Sequence, residues 1–179
     1  METGSAPLNR FIPLSELRPT KDIVRKALCD MLRPIIDDLV VLDLFAGSGR
    51  VGVALLEEGA SSVCAVDKRP LPEGMENDYS SEEYRWRQTE VESFLSGAPS
   101  HSFDVVFMDP PYDSHYPRTV TEELLDKNLL TSQGIIAIET SYEMDLRDLT
   151  VEENSLTLMR NRTYGGSRLW LFQVSNRSD

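Results

Sequence analysis

Apolar residues along this chain fall into two kinds of run. Ile23, Val24, Ala27, Leu28, Met31 and Leu32 recur at helical spacing and share one face of a helix through "KDIVRKALCDML". Thr20 stands where it can cap that helix, and Pro34 where the helix should stop. "LVVLDLF", Leu39 to Phe45, is apolar for its length, as a strand buried on both faces is. "GSGRVGVALLEEGA" predicts a glycine turn and a helix, with Gly59 as its C-terminal stop. "SVCAVD" predicts a second strand ending in Asp67, "YRWRQ" a third, and Phe94 with Leu95 a short helical turn after it. "FDVVFMD" predicts a fourth strand, residues 119–130 a helix, and "GIIAIE" a fifth strand ending in Glu139. "LTLMRNRTY" and "SRLWLFQV" flank Gly165-Gly166 as a terminal hairpin.

The rhythm breaks at residues 68–83. Pro70, Pro72 and Gly74 oppose a helix, so this crossover should be a short helix or a loop. The alternation elsewhere predicts an α/β fold: a Rossmann-like, doubly wound, mostly parallel seven-stranded sheet with an antiparallel terminal hairpin. Neither a repeat nor a linker interrupts it, so residues 1–179 should form one domain, with 1–14 as an extended or poorly ordered arm.

Composition adds a few constraints. A length of 179 residues suits one domain with a full core. No apolar run reaches the ~20 residues of a membrane helix, and "METGSAPLNRF" lacks the apolar region of a secretory signal. Cys29 and Cys64 sit in apolar segments and should be buried free thiols, as in a reducing cytoplasm. His101 and His115 have no Cys or His partner at ligand spacing, so no metal site is expected. The net charge of -12 argues against indiscriminate nucleic-acid binding. Its distribution is uneven. Residues 1–36 carry six basic and four acidic side chains, residues 154–179 four and one, and residues 37–153 eight and 25. The basic ends are either a phosphate-contacting surface or incidental solvated charge; composition leaves both open.

Candidate chemistry starts in "DLFAGSGRVG", which holds Gly47, Gly49 and Gly52 as G-x-G-x-x-G between a strand and a helix. The pattern alone is ambiguous between a nicotinamide cofactor and S-adenosylmethionine. Asp43, inside the end of the strand, tips it. A carboxylate there sits poorly beside a pyrophosphate and suits a cofactor with an ammonium, a sulfonium and no phosphate. Asp67, at the end of the next strand, is placed to accept hydrogen bonds from ribose hydroxyls, a use both cofactors share. Glu90, after the third strand, could accept from an adenine amino group or lie on the surface.

"DPPY", Asp109 to Tyr112, follows the fourth strand and so opens at the carboxyl edge of the sheet, where open α/β sheets bind ligands. The chemistry this arrangement serves is methyl transfer to an amino group conjugated with a ring. Such a nitrogen is a poor nucleophile because its lone pair is delocalised. Acceptors on both N–H bonds, the Asp109 carboxylate and the Pro110 carbonyl, would bend it toward a tetrahedral shape. Pro110 and Pro111 fix the backbone that carries that carbonyl. Tyr112 supplies a face for a flipped base.

Taken together, "LRPTKDIVRKAL", "LDLFAGSGRVGVALLEEGA", "DVVFMDPPY", "IAIET" and "YGGSRLWLF" resemble the RsmD-type methyltransferases over roughly residues 15–174. That resemblance implies a cytoplasmic enzyme, S-adenosylmethionine as cofactor, and guanine N2 of small-subunit ribosomal RNA, free or in an assembly particle, as target. It implies a monomer without membrane contact. Asp43 and the Gly47–Gly49 turn would hold the methionine part of the cofactor, Asp67 the ribose, and Glu90 with Val91 the adenine; Phe45, Ala46, Lys68 and Asp109 complete the cofactor set. Asp109, Pro110, Pro111 and Tyr112 would be catalytic. Arg18, Thr20, Arg25, Tyr112 and Arg162 would meet the substrate. Arg18, Lys21, Arg25 and Lys26 on the first helix, and Arg160, Arg162 and Arg168 on the hairpin, are expected on one side of the cleft.

Three features depart from the family. "METGSAPLNRFIPLSEL" has little of the usual Gly- and Arg-rich hairpin, the adenine contact is Glu rather than Asp or Asn, and the chain is more acidic. Two other readings therefore stay open. One keeps the chemistry on adenine or cytosine amines of DNA or another RNA, or on a protein glutamine amide. The other is a non-catalytic cofactor-binding module, against which the intact D-P-P-Y speaks.

Overall fold

The computed structural model describes residues 18–71, 82–112, 114–149 and 155–175; the side chains of 18–21, 155 and 175 lie outside that description. The elements run α1 (Arg18–Leu32), β1 (Val40–Leu44), α2 (Arg50–Glu57), β2 (Ser62–Asp67), β3 (Tyr84–Gln88), α3 (Val91–Gly97), β4 (Phe103–Met108), α4 (Tyr116–Asp126), β5 (Leu130–Ser141), β6 (Ser155–Tyr164) and β7 (Ser167–Ser175). The strands make one seven-stranded sheet in the order β3-β2-β1-β4-β5-β7-β6. Pairings from β3 to β5 are parallel, and β7 lies antiparallel to both β5 and β6.

Side chains alternate across each strand, so the sheet has two apolar faces. Val24, Leu28 and Leu32 of α1 and Leu55 of α2 pack against Val41, Ala65, Phe107, Ala137 and Leu169. On the other face Leu95 of α3 and Leu124 of α4 pack against Leu42, Val66, Met108, Ile138 and Trp170. The order of the strands reverses between β1 and β4, and a crevice opens there at their carboxyl ends.

The glycine turn is made from left-handed backbone. Phe45, Gly47 and Gly49 have φ of 58°, 60° and 73°. Two of these are glycines, for which the region carries no steric penalty; Phe45 holds it as a non-glycine residue. Gly52 serves packing instead. A Cβ there would stand 2.8 Å from Val63 Cγ1 and 3.0 Å from Tyr84 Cε2, so its absence lets α2 lie close on β2 and β3.

Several boundaries differ from those the sequence predicts. Helix α1 starts at Arg18, so Thr20 lies within its first turn and does not cap it. Pro19 explains the early start, because a proline in the first turn has no N–H to leave unpaired. Helix α4 likewise begins at Tyr116 with Pro117 in its first positions, not at residue 119. Strand β5 runs from Leu130, four residues before the expected start, and its register with β4 shifts between Phe103 and Val105. The glycine in that irregularity, Gly134, has no room for a Cβ, which would lie 2.7 Å from Leu130 Cβ. Cys29 is a buried free thiol as expected, whereas Cys64 is only half-buried. Residues 72–81, most of the segment where a short helix or loop was expected, lie outside the described residues, as do residues 1–14.

Candidate active site

The carboxyl ends of β1, β2 and β4 each deliver an acid toward the crevice. Asp43 precedes the last residue of β1 and is 1% exposed. Its Oδ2 accepts a hydrogen bond from the Gly52 N–H at 3.1 Å. Its Oδ1 is buried with no hydrogen-bond partner among the described residues. Burial pushes its carboxyl up to about 7; the Gly52 N–H opposes this, and the charges of Asp109 and Asp67 add to it. A buried acid in this state is costly unless a ligand supplies a positive charge or a donor.

Asp67 ends β2 in a different condition. Gly47 N–H donates to Oδ2 at 2.8 Å, which ties the glycine turn to the second strand. Arg69 donates to both carboxylate oxygens, Nε to Oδ1 and Nη2 to Oδ2 at 3.0 Å each, and its backbone N–H donates to Oδ1 at 2.9 Å. Burial alone would raise the Asp67 carboxyl; the bonds from Arg69 and Gly47 outweigh it and hold the group below its ordinary range.

A cavity of about 400 Å³ lies over these ends. Of the expected residues, Phe45, Asp67, Lys68, Glu90, Val91, Asp109, Pro110, Pro111 and Tyr112 line it. Asp43, Ala46, Gly47 and Gly49 are not in its lining; they form the strand end and the turn beneath it. Glu90 sits at the N-cap position of α3, and Val91 is the first helical residue. Arg25 and Arg162 lie away from the cavity lining. Arg25 pairs with Asp22 at 3.2 Å along its own helix. The side chains of Arg18, Thr20 and Lys21 lie outside the described residues.

Three participants escape sequence reasoning. Arg69 lines the cavity and covers Asp67; its signal in the sequence is "DKRP", where it follows Asp67 by two residues. Tyr116 also lines the cavity, with its ring 5.0 Å from that of Phe45. Its signal was an aromatic residue shortly after "DPPY". The charge of Glu92 holds its phenol above the ordinary value, with burial and a hydrogen bond to Glu92 adding to the shift. Ser167, at the start of β7, meets the Tyr112 hydroxyl at 3.1 Å. The motif "YGGSR" contained it without pointing to a contact 55 residues away.

The pattern of groups decides what the cavity can hold. The acids gathered here are Asp67 and Asp109 in the lining and Asp43, one oxygen short of a partner, at the strand end beneath it. A pyrophosphate would face these carboxylates. The positive groups of a zwitterion would supply what Asp43 Oδ1 lacks, a ribose would exchange with the exposed Arg69 guanidinium on Asp67, and the size of such a ligand suits the volume, so the residues present fit S-adenosylmethionine. Beside that position the Asp-Pro-Pro-Tyr loop offers acceptors and an aromatic face for a planar amine.

Known proteins resemble this chain in sequence and fold. The family described as conserved hypothetical protein 95 matches residues 8–173. The protein named ribosomal RNA small subunit methyltransferase D in Escherichia coli strain K12 is 31% identical over 171 residues, covering 91% of this chain and 83% of its own length. The protein of the same name in Haemophilus influenzae is 29% identical over 164 residues, covering 88% and 83%. A solved Escherichia coli structure superposes with a TM-score of 0.76 at 27% identity, over 89% of each chain. The chain belongs to the conserved hypothetical protein 95 family, the RsmD-type methyltransferases that its motifs resemble.

Proposed function

We propose that this protein transfers a methyl group from S-adenosylmethionine to the exocyclic N2 of a guanine in small-subunit ribosomal RNA. It acts as a single domain and a monomer, in the cytoplasm. The observation that carries the reading is the convergence of three strand ends: Asp109, Pro110, Pro111 and Tyr112 after β4 open into the same cavity as Asp67 at the end of β2 and Glu90 after β3. The target class follows from relatives that bear the name ribosomal RNA small subunit methyltransferase. No helix among the described residues is long and apolar enough to cross a membrane.

When bound, S-adenosylmethionine supplies an electrophilic methyl on a sulfonium. The protein's part is binding and orientation. Asp43 and the turn Phe45–Gly49 receive the methionine end, Asp67 the ribose, and Glu90 with Val91 the adenine; Lys68 lies beside them. Asp109 and the Pro110 carbonyl accept from the amine and direct its lone pair, while Tyr112 stacks on the base. Holding the two reactants in this geometry supplies much of the rate, and no strong general base is needed.

The test is methyl transfer to small-subunit RNA, free and in particles, from cells lacking the gene, with the modified nucleoside mapped by mass spectrometry. N2-methylguanosine at one position is the expected product. A methyl group on adenine, cytosine or protein would move the substrate and keep the chemistry. No transfer together with tight cofactor binding would make this a binding module. Within the active enzyme, Asp109→Ala should slow the transfer step by ~100-fold or more, measured in single turnovers, because the amine loses its orienting acceptor. Near-normal turnover of that variant would overturn the role given to the loop.

A further inference from the structure

Tyr112 is half-exposed, yet its ring is anchored at the tip. Its hydroxyl lies 3.1 Å from Ser167 Oγ, and Ser167 is 3% exposed at the first position of β7. In the sheet β5 lies between β4 and β7. Tyr112 leaves the end of β4, so its ring spans the carboxyl end of β5 to reach Ser167. The far anchor is itself fixed. Ser167 stands in register with Ser141 of β5 and Tyr164 of β6. The Tyr142 N–H donates to the Gly166 carbonyl at 2.9 Å, tying the hairpin turn to the end of β5. The near end of the loop is braced by Ser114, whose hydroxyl donates to the Pro111 carbonyl at 2.6 Å. Gly165, with φ of 57°, makes the tight turn that brings Ser167 to the rim.

We propose that Ser167 is a positioning residue for the substrate base: it holds the Tyr112 ring as a preformed stacking surface on the sheet rather than on the loop. The inference rests on the methyl-transfer reading of the cavity and deepens it. A free tyrosine on a surface loop samples several rotamers, and a base that stacks on it must first order the ring. With the hydroxyl tied to a buried serine, that ordering is complete before substrate arrives. It also links two distant motifs, "DPPY" and "YGGSR", through one hydrogen bond.

The test uses the full chain and two readouts. The first needs no substrate. In protein labelled with [13Cζ]tyrosine, the Tyr112 resonance, assigned by its loss in Tyr112→Phe, should move in Ser167→Ala and return in Ser167→Thr, which keeps the hydroxyl. An unmoved resonance in Ser167→Ala would overturn the proposal whatever the substrate is. The second readout is transfer to small-subunit RNA. Ser167→Ala and Tyr112→Phe should each lower kcat/KM by roughly 3- to 10-fold, the range of one net hydrogen bond, mainly through KM. The double variant should lose no more than either single one, because both remove the same contact. Ser167→Thr should recover most of the loss, and S-adenosylhomocysteine affinity should stay constant in Ser167→Ala. Additive losses would overturn the positioning role. A wild-type enzyme inactive on every RNA would count against the substrate reading alone, since the resonance test stands by itself.

Discussion

A single proton illustrates how the site trades stability for binding. Asp43 is buried on a strand that also needs apolar neighbours, and its carboxyl is pushed up to about 7 by burial, with Asp109 and Asp67 adding to the shift. An aspartate in an unfolded chain titrates near ~3.9. The folded value is the higher of the two, so this group's stabilising contribution is complete below the unfolded value and is lost as pH rises through about 7. Asp43→Asn removes the titration and keeps an acceptor for the Gly52 N–H. In urea melts the ligand-free variant should gain on the order of 2–4 kcal/mol over wild type at pH 8 and much less at pH 5. Its affinity for S-adenosylmethionine should fall, and wild-type affinity should rise with pH toward neutrality as the carboxylate forms. Identical pH dependence of the two proteins would show that the proton is not held there. The identity of Asp43 was legible because an acid in "VVLDLF" breaks an apolar run. The nearness of Arg69 to Asp67 was legible in "DKRP" but the pairing was not: it depends on the backbone after β2 turning back over the strand end.

At the scale of elements, the readable parts were those with one dominant signal. Strands β2 and β3 fall on "SVCAVD" and "YRWRQ", because each run is bounded by polar or turn residues on both sides. Helices α1 and α4 start earlier than the sequence predicts, with Pro19 and Pro117 in their first turns, where a proline starts a helix. The amino-terminal part of β5 was missed because Thr131, Ser132 and Gln133 carry no strand pattern; β4 pairs with Leu130 and again from Ile135, and the register shifts between them. The third glycine of the turn gives a test at this scale. In Gly52→Ala the new methyl would press on Val63, Tyr84 and, at 3.3 Å, Asp43 Oδ2. The result should be a loss of roughly 1–3 kcal/mol, read as a lower Tm, together with weaker cofactor binding as α2 shifts its Gly52 N–H from Asp43. Gly97→Ala is the control. No atom lies within 4 Å of its would-be Cβ, so it should be neutral or slightly stabilising. Equal behaviour of the two variants would remove close packing as the reason for Gly52.

For the whole molecule, the question is how a chain of net charge -12 approaches a polyanion. The two basic ends meet in the fold. Val24, Leu28 and Leu32 of α1 share a core with Leu169 and Leu171 of β7, so helix and hairpin lie on one face. Arg160 and Arg162 pair across β6 and β7 with Leu171 and Leu169, and side chains directly opposite point to the same face, the side of α1. Arg168 does not join them. It is paired with Thr163 on the opposite face, with its guanidinium 5.2 Å over the Trp170 ring. The expectation that all three hairpin arginines share one side is therefore corrected by strand alternation, which a sequence reading of the hairpin could have applied. Arg25 is partly committed to Asp22. This leaves Arg160 and Arg162 as the sharper test of a phosphate-contacting surface. Reversing both, Arg160→Glu with Arg162→Glu, should weaken binding to small-subunit RNA and flatten its salt dependence. The slope of log K against log salt should shrink by about 1.4, the value for two phosphate contacts on single strands. Cofactor affinity, measured by calorimetry, should not change, because neither arginine lines the cavity. An unchanged slope would mean that the hairpin's charges are solvated surface, and that the RNA is engaged through the residues at the rim of the cavity.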